Sequence, residues 1–153
     1  MDKIYVLRLH NDKWYVGRTG NVERRFEQHM NGDGAKWTFL HKPINIHAVT
    51  DIITEDDEDI ITREYMKQFG IYNVRGGKYC AVEFKSWNIR EIKNDMEADE
   101  KKLQQKLKEE EQKRRTEENM KKIDESLKKV TNELFNPDSD LRSGRFFKKV
   151  FGF

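Results

Sequence analysis

The sequence predicts an α+β unit of about 85 residues, a three-stranded antiparallel sheet flanked by helices, followed by one long charged helix. Three observations carry that prediction. Lys3–His10 and Lys13–Thr19 are β-patterned segments separated by Asn11-Asp12, which is hairpin chemistry. Val22, Phe26 and Met30, and later Ile61, Tyr65 and Phe69, recur every four residues, which is one face of a helix. From Trp87 to Phe135 proline and glycine are absent and Lys, Glu, Gln and Arg dominate, which is the composition of an uninterrupted helix. The implied organisation is a unit at 1–85, a helix at 86–135 and a basic, aromatic tail at 136–153.

In the first strand Tyr5, Leu7 and Leu9 fall on one face and Ile4 and Val6 on the other, so the hairpin is expected to be covered on both sides. Trp14, Tyr15 and Val16 are strand formers, and Gly20-Asn21 ends the return strand. Asn21 is placed to cap the helix that follows, because its side chain can accept a bond from an orphan N–H. Asn31–Pro43 reads as a long loop containing Trp37, and Ile44–Ile52 as a third strand. Thr54 is expected to open a helix whose acidic first turn suits the positive end of the helix dipole, and Gly70 to close it. Glu64 projects from the edge of the apolar face of that helix, where a carboxylate needs a partner or a metal. Arg75-Gly76-Gly77 reads as a turn, and Lys78–Phe84 as a last short strand.

Net charge is +2, from 30 basic and 28 acidic residues, so no global signature of nucleic-acid binding is present. The signs separate locally: residues 1–50 hold eight basic and five acidic side chains, whereas Asp51–Asp59 holds six acidic and no basic ones. A partner bearing phosphates would meet the basic residues of the first half. The single cysteine, Cys80, leaves no intrachain disulfide and fits an intracellular, reducing compartment, without choosing between nucleus and cytoplasm. Neither a signal peptide nor a membrane span is expected. In the long helix, Met120, Ile123, Leu127, Val130 and Leu134 step by three and four, which is a coiled-coil seam. Residues 120–134 are therefore expected to mediate a weak homodimer or hold a partner protein.

Chemistry concentrates in Lys13–Met30. A strand ending near Tyr15, a glycine turn, and a helix presenting Arg25 and His29 on one stripe make a reasonable place to act on a phosphate. These residues resemble the GIY-YIG endonuclease family. Lys3-Ile4-Tyr5 stands for the first motif, with Lys3 where the family has glycine, and Tyr15-Val16-Gly17 for the second. Arg25, His29, Glu64 and Asn73 follow in the family's order. Gly34-Ala35-Lys36-Trp37-Thr38-x-x-His41-Lys42-Pro43 is similar to the loop of structure-specific members, and Asn73-Val74-Arg75-Gly76-Gly77 to members from large DNA viruses.

The resemblance implies a DNA endonuclease that hydrolyses phosphodiester bonds with a divalent cation, Mg²⁺ or Mn²⁺. Glu64 would hold the metal, Arg25 would neutralise developing charge, and Tyr5 and Tyr15 would position or deprotonate the attacking water. His29 would relay the proton or bond a phosphate, and Asn73 would orient the glutamate or brace the helix end. Gly17 is a structural residue of the second motif. Arg18, Lys36, Trp37 and Arg75 are the expected nucleic-acid contacts. Two other classes compete with this reading: a non-catalytic nucleic-acid-binding module with a coiled-coil helix, and an adaptor defined by its long helix.

Overall fold

The computed structural model describes residues 1–135, so the predicted tail at 136–153 lies outside the described residues. The first compact unit is Met1–Glu100, and a second begins at Lys101. Strands β1 (Lys3–Leu9) and β2 (Lys13–Thr19) form the expected hairpin, with Val6 opposite Val16. Asn11 and Asp12, in the three-residue connection between the strands, both hold positive φ, 61° and 53°, as the central residues of a tight turn in which the Lys13 N–H donates to the His10 carbonyl oxygen at 3.4 Å. Strand β3 (Pro43–Asp51) pairs antiparallel with the other edge of β1.

The sheet has four strands where three were expected, in the order β3-β1-β2-β4. The addition, β4 (Val74–Gly76), runs parallel to β2. Its sequence reads as a turn because Gly76 is a poor strand former. A Cβ at Gly76 would stand 2.6 Å from both the Val16 carbonyl oxygen and Thr62 Oγ1, so only glycine lets this backbone lie against β2. The strand expected at 78–84 does not form, and Tyr79 makes an isolated bridge to Gly76.

Helix α1 (Val22–Asn31) starts as read, with Asn21 Oδ1 accepting the Arg24 N–H at 2.9 Å, and Gly32 ends it at φ 90°. Helix α2 (Lys36–Leu40) occupies the expected loop and buries Trp37 and Thr38. Helix α3 (Asp57–Phe69) begins after Thr54, because the Asp57 carboxylate accepts the Ile53 and Thr54 N–H groups and turns the chain first. A single 3₁₀ turn, Ile71–Asn73, leads into β4.

The sheet is covered on both faces, as its patterning predicts. One core cluster gathers Ile4, Val6, Trp14 and Val16 with Met66 of α3. The other gathers Tyr5, Leu7, Leu9 and Tyr15 with Val22 of α1 and Trp37 of α2.

Helix α4 (Ser86–Phe135) is continuous, and its first turns belong to the core. Ile92 and Met96 join the Trp14 cluster. Buried Arg63 donates from Nε to Asp99 Oδ2 at 2.6 Å and from Nη2 to Asp99 Oδ1 at 3.0 Å. Its Nη1 donates to the Tyr79 hydroxyl, which donates in turn to Asp95. These contacts extend the compact unit beyond residue 85, where composition alone placed its end. The seam residues from Met120 to Leu134 are exposed. Among the described residues no helix is long and apolar enough to cross a membrane.

The core role of the first α4 turns yields a contrast along a single helix. Ile92→Ala should lower the unfolding free energy of the full chain by about 2–4 kcal/mol, the range for a buried aliphatic truncated to a cavity. Leu103→Ala, at an exposed position, should change it by less than about 0.5 kcal/mol. Urea unfolding followed by tryptophan fluorescence distinguishes the two.

Candidate active site

The site is built on the hairpin face that α1 and α2 cover. Tyr5 lies opposite Gly17 in the ladder and Tyr15 opposite Leu7, so the two tyrosines are diagonal neighbours on one face. Their ring centroids are 6.3 Å apart. The Tyr5 ring passes directly over Gly17, where a Cβ would stand 2.5 Å from Tyr5 Cζ. Gly17 is therefore required by the tyrosine, not by a turn.

His29 of α1 completes the cluster. It is 1% exposed, with its ring 5.0 Å from Tyr15 and 5.9 Å from Tyr5. Its position differs from the sequence reading, which put Met30 on the buried face and His29 beside it; Met30 is 43% exposed. His29 Nε2 lies 2.8 Å from the Tyr5 hydroxyl and Nδ1 lies 2.7 Å from Thr38 Oγ1. Gly34 lets the loop before α2 press on the imidazole, since a Cβ there would stand 2.7 Å from His29 Cγ.

Arg25, one turn before His29 and half-buried, donates to Gln28 Oε1 at 2.9 Å. Its charge reaches both rings. Burial, then the Arg25 guanidinium, lowers the His29 pKa to about 4, so His29 is neutral near pH 7. Burial also raises the Tyr5 and Tyr15 phenols above their usual range, while Arg25 acts in the opposite direction on both.

The carboxylate whose charge acts on both phenols is Glu58, not Glu64. Glu64 is exposed. Six residues of helix separate the two, which turns their side chains about 120° apart around α3. Glu58 shares a stripe with Thr62 and Met66, both fully buried, and its Oε1 accepts the Gly77 N–H at 3.2 Å. Burial raises the Glu58 pKa, with Gly77 and Arg18 opposing, and its charge resists ionisation of Tyr5 and Tyr15. Reading residues 55–59 as one acidic cap hid this. The signal was the recurrence Glu58, Thr62, Met66, whose buried middle residue is polar and therefore invisible to an apolar pattern.

The donors near the tyrosines are hard oxygens with one protein carboxylate. That set fits Mg²⁺ or Mn²⁺, and Mg²⁺ in particular keeps most of its waters and adds substrate oxygens. It does not fit a closed protein cage: among the described residues no group of three or more His, Cys, Asp or Glu side chains gathers to hold a metal. Glu58 is the carboxylate that could supply a ligand to such a cation.

The expected nucleic-acid contacts divide. Arg18 is exposed and paired with Asp2 and Glu55 at 3.0 and 3.1 Å, and Lys36 is exposed. Trp37 is 6% exposed, and its indole N–H donates to the Trp14 carbonyl oxygen at 3.1 Å, so it is a core residue. Arg75 is 2% exposed and lies between the Trp37 and Phe84 rings, 4.2 and 3.7 Å from their centroids. It donates to the carbonyls of Ile71, Val74, Ala81 and Val82, and burial lowers its pKa to about 10. Every accessible face of its guanidinium is engaged, so Arg75 holds the loop after β4 instead of reaching a substrate. Asn73 braces the helix end: its Nδ2 donates to the Phe69 carbonyl and its Oδ1 accepts from Lys13 Nζ at 2.5 Å.

Residues 2–69 match the family described as the GIY-YIG catalytic domain. The chain is similar to a UPF0213 protein of Clostridium perfringens, 34% identical over 65 residues, which covers 42% of this chain and 68% of that protein. It is also similar to a UPF0213 protein of Bacillus cereus, 31% identical over 85 residues, or 52% and 86% of the two chains. A UPF0213 protein of Xanthomonas campestris is 38% identical over 45 residues, 29% of this chain, and the match spans 44% of that relative. No solved structure matches the chain.

The neutral His29 ties stability to pH. Its ordinary pKa is about 6.5 and its folded value is about 4, so between these values the unfolded chain binds a proton that the folded chain does not. Stability should therefore fall on acidification from pH 6.5 towards 4, by about 3 kcal/mol from this residue. Urea midpoints measured across that range should converge for the wild type and His29→Gln as the pH drops.

Proposed function

Because this chain belongs to the GIY-YIG family, a family of nucleases, we propose that it hydrolyses DNA phosphodiester bonds with a divalent cation and acts on particular DNA structures. The observation that carries this reading is the hydrogen bond between the Tyr5 hydroxyl and neutral His29, set beside Tyr15, Arg25 and Glu58. A phenol alone is a poor base near pH 7. A phenol bonded to a neutral imidazole can accept a proton from water while passing its own to Nε2.

In this scheme the water oxygen forms a bond to phosphorus as the bond from phosphorus to the 3′ oxygen breaks. The water proton moves to the Tyr5 oxygen and the Tyr5 proton to His29. Arg25 counters charge on the non-bridging oxygens. A phosphate beside Arg25 also offsets the positive charge that disfavours protonated His29, so substrate binding makes the imidazole a better acceptor. Tyr15 orients the water or the phosphate. Glu58 would hold a Mg²⁺ or Mn²⁺, which would supply positive charge to the scissile phosphate and leaving oxygen. The loop before α2 together with α2 supports selection by DNA structure, since Gly34 of the loop and Thr38 of the helix lie against His29 and Lys36 is exposed beside them.

The test is cleavage of nicked, flapped, branched and plain duplex DNA by the full chain with Mg²⁺ or Mn²⁺. Glu58→Gln should reduce cleavage about 10³-fold, a loss of about 4 kcal/mol of transition-state stabilisation, and Glu64→Gln should leave it within a few-fold. Arg25→Ala should lower kcat more than it raises KM. Undiminished cutting by Glu58→Gln would remove the carboxylate from the mechanism. Salt-dependent binding without cleavage of any substrate would replace the enzyme with a nucleic-acid-binding module.

A further inference from the structure

We infer that Thr38 is a positioning residue: its hydroxyl selects the tautomer of His29 and thereby makes Tyr5 the donor in the Tyr5–His29 hydrogen bond. The inference deepens the proposed relay and rests on it for its catalytic consequence. Its structural part stands on hydrogen-bond chemistry alone.

Thr38 is fully buried in α2. Its Oγ1 lies 2.8 Å from the Ala35 carbonyl oxygen and 2.7 Å from His29 Nδ1. A carbonyl oxygen only accepts, so the single hydroxyl hydrogen of Thr38 is committed to Ala35. Towards His29 the hydroxyl oxygen is then an acceptor, and Nδ1 must carry the hydrogen. In a neutral imidazole this leaves Nε2 as a lone pair, 2.8 Å from the Tyr5 oxygen. The phenol is the only partner there with a hydrogen to give. Proton order thus runs in one direction, from Tyr5 to His29, with the Tyr5 lone pairs left for another donor.

The opposite tautomer would place a hydrogen on Nε2 and aim it at the Tyr5 oxygen. That arrangement occupies a phenol lone pair and closes the outlet for the phenol proton. Packing prevents the ring from escaping the choice: the Gly34 backbone lies against His29, and Tyr15 stands 5.0 Å away by ring centroid. A side-chain hydroxyl is needed because the position must be buried, must present an oxygen towards α1, and must have a local carbonyl to take its hydrogen.

The experiment is long-range ¹H–¹⁵N spectroscopy of the imidazoles in the full-length chain near pH 7, without DNA or metal. Four histidines are present, and His29→Gln identifies the signals of His29. The wild type and Thr38→Ser should show a protonated, pyrrole-type Nδ1 and a bare, pyridine-type Nε2. Thr38→Val, equal in shape but lacking the hydroxyl, should exchange the two types, and Thr38→Ala should do so if the valine variant does not fold. In cleavage assays Thr38→Val should lose about 10²–10⁴ in kcat with little change in KM, as expected for a general base held in the wrong tautomer, and Thr38→Ser should recover most of it. A bare Nδ1 in the wild type, or an unchanged tautomer in folded Thr38→Val and Thr38→Ala, would overturn the inference. A tautomer exchange in a protein that cuts no DNA would overturn the nuclease reading and leave the tautomer assignment standing.

Discussion

A phenol ring lying across a glycine is the constraint on which the rest of the site depends. Tyr5 points to the face that α1 and α2 cover, and its ring occupies the volume where residue 17 would carry a Cβ. That placement brings the hydroxyl to His29 Nε2. His29 is in turn pressed by the Gly34 backbone and bonded to Thr38. Two missing side chains, one on a strand and one in a loop, therefore define the orientation of the Tyr5–His29 ring pair, which shares a proton. Close packing makes such positions intolerant of even one added carbon.

Legibility followed the periodicities that sequence carries well. Strand alternation assigned Tyr5 and Ile4 to opposite faces, and the four-residue repeat of α1 put Arg25 and His29 together. Resemblance supplied the functional order of the motifs. What failed was any feature defined by contact across the sheet. Strand β4 is three residues long and exists because Gly76 fits beneath Val16 and Thr62, which no local pattern announces. Arg75 and Trp37 have the chemistry of nucleic-acid contacts, and the structure spends both on each other. Glu58 was hidden in an acidic run whose members have different tasks: Asp57 closes the turn before α3, Asp59 accepts the Lys78 N–H, and Glu58 accepts the Gly77 N–H and acts by its charge on the tyrosines.

Electrostatically, Arg25 of α1 and Glu58 of α3 act on the two phenols in opposite senses: Arg25 favours their ionisation and Glu58 opposes it. Arg18 stands outside with Asp2 and Glu55 as exposed partners. Solvent screens exposed ion pairs of this kind, so they hold Arg18 only weakly and leave its guanidinium accessible.

The two edges of the sheet are unlike. β4 offers only three residues, and the loop that follows turns its carbonyls inward to Arg75. β3 is nine residues long and lies at the other edge, with Ile44 and Val49 nearly half exposed. Among the described residues nothing pairs with its outer side, and an edge of that length is a template for a foreign strand. Its pairing with β1 shifts register twice, between Val6 and Leu7 and between Arg8 and Leu9. Each irregularity bends the strand and breaks the regular row of donors and acceptors that an incoming chain would need. The same strand that completes the sheet thus carries its protection against growth, and straightening it would expose the protein to aggregation before it disturbed the chemistry.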